Sequence, residues 1–136
     1  MSKILLSVSD RWVPDARIDA IASFVQRLGH QILVTHVVYG AESGGGEPLP
    51  GERVLEKIAS QMRDKQTKVE TLLLFSDDVG QAILKTAEEH KVVMIMLGLS
   101  SKGMLTRLIE GNVAQEVVRG TKIPVLLLPP EWGGEI

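Results

Sequence analysis

The sequence predicts an α/β domain in which five parallel strands form a doubly wound sheet with helices on both faces. Two observations predict it. Short aliphatic runs of strand length alternate with longer segments whose apolar residues recur at helical spacing. Strands that alternate with helices pair in parallel through right-handed crossovers, which places helices on both faces of the sheet. No repeat or linker interrupts the pattern, so we expect one domain over residues 1–130 and a mobile polar tail over residues 131–136.

In the first half of the chain, strands are predicted where aliphatic and β-branched residues cluster. A helix opens at Pro14-Asp15, and Gly29 stands where its C-terminal cap belongs. Gly40–Gly51 holds five glycines and two prolines and is predicted to be a flexible loop. The other elements predicted here are the strands Ile4–Val8, Gln31–Val38 and Val69–Phe75 and the helix Glu52–Lys65.

In the second half, Asp77-Asp78 precedes a predicted helix and is expected to stabilise its N-terminus. Asn112 is placed as an ordinary helix N-cap, with Gln115 three residues later to complete a capping box. The elements predicted here are the strands Val92–Leu97 and Val125–Leu128 and the helices Val79–His90, Leu105–Ile109 and Val113–Arg119.

Composition excludes several classes of function. The net charge of −2 gives no electrostatic reason to expect nucleic acid or an anionic membrane as partner. The absence of cysteine excludes a disulfide framework, a thiolate metal site and a cysteine nucleophile, and it fits a cytoplasmic protein. The first apolar stretch is too short for a signal peptide or a membrane span. The three histidines, His30, His36 and His90, share no metal-ligand spacing.

The topology also indicates where a ligand would bind. In a doubly wound sheet the crevice lies beyond the carboxyl ends of the strands, where the strand order reverses. If the second and third strands lie on one side of the first, and the fourth lies on the other, the crevice opens between the first and fourth strands. The loops Ser9–Val13 and Gly98–Met104 then border it. Asp10 would project into its mouth, and Gly98 would let the backbone approach a ligand closely.

Four segments of the chain resemble the universal stress protein family, whose fold is similar to that of the adenine-nucleotide α-hydrolases. They are ILLSVSD, THVV, DDVGQAILKTAEEHKVVMIMLG and GNVAQEVVRGTKIPVLLLP. The resemblance spans the chain except Gly40–Gly51 and the tail. It implies a parallel sheet in the order 3-2-1-4-5, a cytoplasmic stress-response protein, and a homodimer that pairs through the last strand.

The nucleotide-binding branch of that family carries the motif G-x2-G-x9-G-[S/T], whose backbone and hydroxyl hold the phosphates of ATP. The resemblance places Gly98, Ser101, Gly111 and Asn112 at its four positions, so two of four match. Ser101 adds a Cβ where the backbone must come close to a phosphate, although its hydroxyl and the Asn112 amide can both donate. Lys102 could supply a positive charge to a phosphate. Asp10 and Val37 match the positions that border adenine and ribose.

Three functions stay open. The first is a sensor that binds ATP or AMP, with Mg²⁺ only alongside ATP and at most slow, incidental hydrolysis. The second is a nucleotide-independent homodimeric interaction protein, which Ser101 and Asn112 favour. The third is an adenylyl-transferring ligase, but SDRWVPD after the first strand lacks the HxGH or SGGxDS signature of such enzymes. No arrangement of nucleophile and base is readable.

The last strand, Val125–Leu128, is predicted to form an apolar edge between Pro124 and Pro129. Exposed edges of this kind are usually paired or covered. Antiparallel self-pairing around a two-fold axis gives the homodimer that the resemblance implies. The alternative is a monomer whose edge is shielded by the tail. Any further protein partner is unidentified.

Overall fold

The computed structural model describes residues 2–8, 14–39, 50–98 and 113–128. The strands are β1 (Lys3–Ser7), β2 (Gln31–Tyr39), β3 (Val69–Ser76), β4 (Met94–Gly98) and β5 (Val125–Leu128). The helices are α1 (Asp15–Arg27), α2 (Pro50–Asp64), α3 (Val79–Glu89) and α4 (Val113–Gly120). Strands and helices alternate along the chain as predicted.

The five strands form one parallel sheet in the order β3-β2-β1-β4-β5, which confirms the predicted fold class and strand order. Strand β1 lies at the centre. Its last residue, Ser7, is level with Thr35 of β2 and with Leu97 of β4. The strand order therefore reverses at β1, because the chain adds β2 and β3 on one side and β4 and β5 on the other.

Alternate residues of the strands pack against different pairs of helices. Leu6 and Val34 belong to the core under α1 and α2, whereas Leu5 and Leu33 belong to the core under α3 and α4. Both cores are aliphatic, as the low aromatic content requires. The largest fully buried side chains are Ile4, Leu5, Leu6, Ile18, Ile32, Leu33, Ile58, Met62, Ile83, Ile95 and Met96.

Three helices end in the same way before the chain enters the next strand. Each is followed by a residue of positive φ, at Gly29 (71°), Gln66 (62°) and Lys91 (52°). After α1, the Gly29 N–H donates to the Gln26 carbonyl and the His30 N–H donates to the Val25 carbonyl. This is the Schellman pattern, which satisfies carbonyls that the helix end leaves free. The predicted cap at Gly29 is confirmed, but glycine fills this position only after α1.

Two predicted boundaries are wrong by two residues, and others differ by one. The fourth strand begins at Met94 rather than Val92, because the Val92 N–H closes the turn after α3 by donating to the Ala87 carbonyl. The predicted loop Gly40–Gly51 ends early, because α2 begins at Pro50. Proline suits the first turn of a helix, where its missing N–H costs no hydrogen bond.

The predicted helix Leu105–Ile109 and the tail 131–136 lie outside the described residues. Within the part of the chain that the structure describes, no helix combines the length and the apolar character that a membrane crossing needs.

Candidate functional site

The strand order reverses between β1 and β4, and the carboxyl ends of these strands are where a doubly wound sheet binds its ligand. Two of the predicted site residues are described there. Val37 is buried near the end of β2, and Gly98 is the last residue of β4. Strands β2 and β4 flank β1, so about 10 Å separates them across the sheet. The other predicted site residues lie outside the described residues: Asp10, Ser101, Lys102, Gly111 and Asn112.

A histidine fixes the chain where it leaves β1. The Val8 N–H donates to the Thr35 carbonyl, and His36 Nδ1 lies 2.9 Å from the Val8 carbonyl oxygen. Because a carbonyl only accepts, Nδ1 must carry the proton in this bond. Val8 is thereby held to β2 through both its N–H and its C=O group. The segment that leads to Asp10 therefore starts from a fixed point beside Val37.

Gly51 in the first turn of α2 makes room for that histidine. A Cβ built on Gly51 would collide with the His36 ring. The sequence interpretation considered His36 only as a metal ligand and Gly51 only as part of a loop. The signal that was missed is a glycine directly after Pro50, in the first turn of an amphipathic helix, where a missing side chain lets a neighbour come close.

Arg17 brings a positive charge to the same end of the sheet. It lies in the first turn of α1, and its Nη2 donates to the Leu128 carbonyl oxygen at 2.8 Å. Leu128 is the register partner of Gly98, so the guanidinium lies one strand away from the predicted phosphate-binding glycine. Burial lowers the pKa of Arg17. The group still carries its charge at neutral pH, because the ordinary pKa of arginine is so high.

The sequence interpretation also missed Arg17. A cation in the first turn of a helix is disfavoured by the helix dipole. Its presence at that position therefore calls for another reason, and the bond to the end of β5 supplies one. That dipole conflict is the signal by which the residue could have been found.

The N-termini of α3 and α4 border an open cleft of about 680 Å³ on the other face of the sheet. Asp78 caps α3, since its Oδ1 accepts from the Gln81 N–H at 3.1 Å, which confirms the predicted role of Asp77-Asp78 for this residue. Helix α4 begins at Val113, directly after Asn112, and Val113 lines the cleft.

Charge decides what this cleft can hold. Among the described residues that line it, the charged side chains are the carboxylates of Asp77, Asp78 and Glu116 and the guanidinium of Arg119. The Glu116 carboxylate packs against Gly80, and its Oε2 lies 3.4 Å from Gln81 Nε2. These described carboxylates disfavour a phosphate group placed directly beside them. Among the residues that the structure describes, no three histidine or acidic side chains are placed to bind a metal ion together.

The model of one protein family, the universal stress protein family, matches residues 2–129. The chain belongs to the universal stress protein family. A universal stress protein of Methanocaldococcus jannaschii is 28% identical over 78 residues. That match covers 57% of this chain and 45% of the relative, so it spans less than half of that protein.

Solved structures of family members share the fold. One from Archaeoglobus fulgidus superposes with a TM-score of 0.72 at 21% identity, covering 93% of each chain. A structure of the universal stress protein from the same organism in complex with dAMP has a TM-score of 0.71 at 19% identity, and covers 93% of this chain and 97% of that one. These superpositions show that the proteins share a common architecture.

Proposed function

We propose that this universal stress protein binds an adenine nucleotide, ATP or AMP, at the carboxyl ends of β1 and β4 and acts as a cytoplasmic stress-response regulator. The observation that carries the proposal is the position of Gly98. It ends β4 directly beside β1, where the strand order reverses and where a ligand of a doubly wound sheet binds. A cytoplasmic location fits the cysteine-free composition.

The proposed contacts divide into two groups. Asp10 and Val37 border the adenine and ribose, on the β2 side of the crevice. The phosphates lie on the β4 side, near the guanidinium of Arg17. The fixed bond from His36 to Val8 supports this arrangement, because it sets the start of the segment that carries Asp10. The residues proposed to hold phosphate are Gly98, Ser101, Lys102, Gly111 and Asn112.

We propose that the phosphates lie toward β4 and Arg17, because the described part of the cleft between α3 and α4 carries the carboxylates of Asp77, Asp78 and Glu116. Mg²⁺ enters with ATP only, bound to its phosphates. The sequence contains no recognisable motif that joins a nucleophile to a base, and we propose that any hydrolysis is slow and incidental. The dAMP complex of the Archaeoglobus fulgidus protein supports a nucleotide in this fold.

The test compares two neighbouring serines. Nucleotide binding should raise the free energy of unfolding by roughly 2.7 kcal/mol at a ligand concentration one hundred times the Kd.

Ser101→Gly removes a Cβ from the position where the motif has glycine and should tighten ATP binding. Ser100→Gly changes the same loop outside the motif and should not. Titration calorimetry and urea unfolding with AMP, with ATP and with Mg-ATP measure both effects. An unchanged stability of wild type and Ser101→Gly at millimolar nucleotide would contradict the proposal.

A second candidate function is a nucleotide-independent homodimer, which the serine and asparagine at two motif positions favour. In this case activity lies in the dimer that forms through Val125–Leu128. Three of the four residues of β5 are only half-buried, at an edge of the described sheet. Leu126→Lys should then remove the association that Val125–Leu128 supports, which sedimentation measures as a lower mass than that of wild type. A mass equal to that of wild type would place the interface elsewhere.

A further inference from the structure

Strand β3 forms the other edge of the sheet, and its free side carries a row of backbone groups. The Ile32 N–H donates to the Lys68 carbonyl, so even-numbered residues of β3 direct their backbone groups toward β2. The N–H and C=O groups of Val69, Thr71, Leu73 and Phe75 therefore point away from the sheet. Among the described residues no strand pairs with that side.

Little in the composition of β3 protects this edge. Exposed edges are usually kept from pairing by lysine, proline or short length. Strand β3 runs over eight residues with neither lysine nor proline, whereas β5 has four. Its charged residue, Glu70, pairs with Lys3 at 2.8 Å across the sheet. Phe75 is 54% exposed at the end of an apolar run that starts at Leu72.

We infer that β3 pairs antiparallel with β3 of a second copy of this chain, around a two-fold axis through Leu73. This register places Leu73 opposite itself, so outward-facing backbone groups meet each other. A two-fold axis perpendicular to the sheet requires that opposed residues lie on the same face, which this register satisfies.

The side chains of the two copies complement each other in this register. Phe75 lies opposite Thr71 of the second copy, an aromatic and β-branched pair of the kind that stabilises sheets. Thr71 and Phe75 are both exposed, so neither is covered by α2. If the axis passed through Leu72 instead, the charged Glu70 would lie opposite the apolar Leu74, and the side chains would not complement each other.

The groove beside the edge provides room for the second strand. It has a volume of about 370 Å³ and lies between β3 and α3, lined by Leu74, Ala82 and Thr86 among others. In this register Leu72 of the second copy lies opposite Leu74, at the border of this groove. The self-complementary register, rather than the apolar surface alone, is the reason for choosing a second copy as the occupant.

Disulfide trapping tests the register, because the chain has no cysteine of its own. A Thr71→Cys/Phe75→Cys variant should form covalent dimers under mild oxidation, since opposed residues bring their Cα atoms to about 5.5 Å. Within one chain these two positions are too far apart to bond. The control Glu70→Cys/Phe75→Cys places its cysteines on opposite faces and should stay monomeric in non-reducing electrophoresis. Absence of dimer, or equal dimer in both variants, would overturn the inference.

Sedimentation separates this interface from β5. In a Leu126→Lys background the mass at high concentration should approach twice that of the monomer, and adding Phe75→Lys should return it to the monomer. Val118→Lys charges a side chain of similar exposure on α4 and should leave association unchanged. A Leu126→Lys protein that is monomeric at every concentration would refute pairing through β3.

Discussion

The amino and carboxyl ends of the sheet are built differently. At the amino end, the connections from α1, α2 and α3 into the following strands are short, over residues 28–30, 65–68 and 90–93, and each turns through a residue of positive φ. At the carboxyl end, the connections after β1, β2 and β4 are longer, over residues 8–14, 40–49 and 99–112. The carboxyl-end connections carry Asp10 and the predicted phosphate-binding residues.

The difference separates stability from binding. A Schellman turn satisfies helix carbonyls by local hydrogen bonds and needs no ligand. The carboxyl end is held by contacts between elements distant in sequence, such as the bond from His36 to Val8 and the bond from Arg17 to Leu128. Changes at the amino end should therefore alter stability alone, whereas changes at the carboxyl end should alter stability and nucleotide response together.

Gly51→Ala should have the largest effect. Alanine usually stabilises a helix relative to glycine, but here its Cβ collides with the His36 ring. We expect a loss of about 1–3 kcal/mol in the free energy of unfolding, because the packed ring must move off the Val8 carbonyl. Urea unfolding measures the loss, and nucleotide titration should show weaker binding.

Two controls accompany this variant. Gly80→Ala also adds a Cβ near the start of a helix, but it meets the movable end of the Glu116 side chain and should be nearly neutral. Adding His36→Ala to Gly51→Ala removes the collision, so the double variant should lose less than the sum of the singles. A Gly51→Ala protein as stable as wild type would show that the ring does not fix the carboxyl end.

Periodicity in the sequence predicted most of the fold. Buried strands and amphipathic helices can be recognised from the local spacing of apolar residues. The predicted bounds of β5 match the structure, and the bounds of the other described elements differ by one or two residues. The strand order came from the resemblance, because alternation alone does not set it. The start of β4 was missed because Val92 is apolar and buried, yet its N–H bonds to the Ala87 carbonyl.

The candidate site was less predictable, and the reason is physical. The family resemblance named Val37 and Gly98, which lie near the carboxyl ends of β2 and β4, and their contact with a nucleotide stays a prediction. Arg17 and His36 act through long-range bonds to backbone carbonyls, and no local pattern encodes which carbonyl a side chain reaches. Only the assembled sheet brings Leu128 to α1 and Val8 to β2. Whether Asp10, Ser101 and Lys102 hold a nucleotide stays a prediction.

Lys91→Gly should have an intermediate effect, in the opposite direction. A left-handed backbone costs a non-glycine residue about 1 kcal/mol, and Lys91 has a φ of 52°. Glycine should therefore raise the free energy of unfolding by about 0.5–1 kcal/mol, even though it is more flexible in the unfolded chain.

The reciprocal change, Gly29→Ala, places a Cβ in open space at a φ of 71°. It should cost about 1 kcal/mol through backbone strain alone. Urea midpoints at unchanged slope measure both variants. Nucleotide affinity should be the same in wild type and both variants. A change in affinity would contradict the claim that the amino end of the sheet affects stability alone.

The smallest effect concerns acid stability at the amino end. A hydrogen bond from Lys3 holds the pKa of Glu70 below its ordinary value, with burial opposing and the charges of Lys3 and His90 adding to the lowering. A depressed pKa in the folded state means that the stabilisation is complete above the unfolded pKa of about 4.3 and is lost as the pH falls through the folded value.

Because the Glu70 side chain is 51% exposed, solvent screening limits the gain to about 0.2–1 kcal/mol. Glu70→Gln should remove this share of the acid sensitivity below the unfolded pKa of about 4.3, and Lys3→Met should do the same. The double variant should lose no more than either single variant, since one interaction is removed in all three. Additive losses in urea unfolding at pH 7 would mean that Lys3 and Glu70 stabilise the amino end through separate contacts, and the pair would then not explain the pH profile.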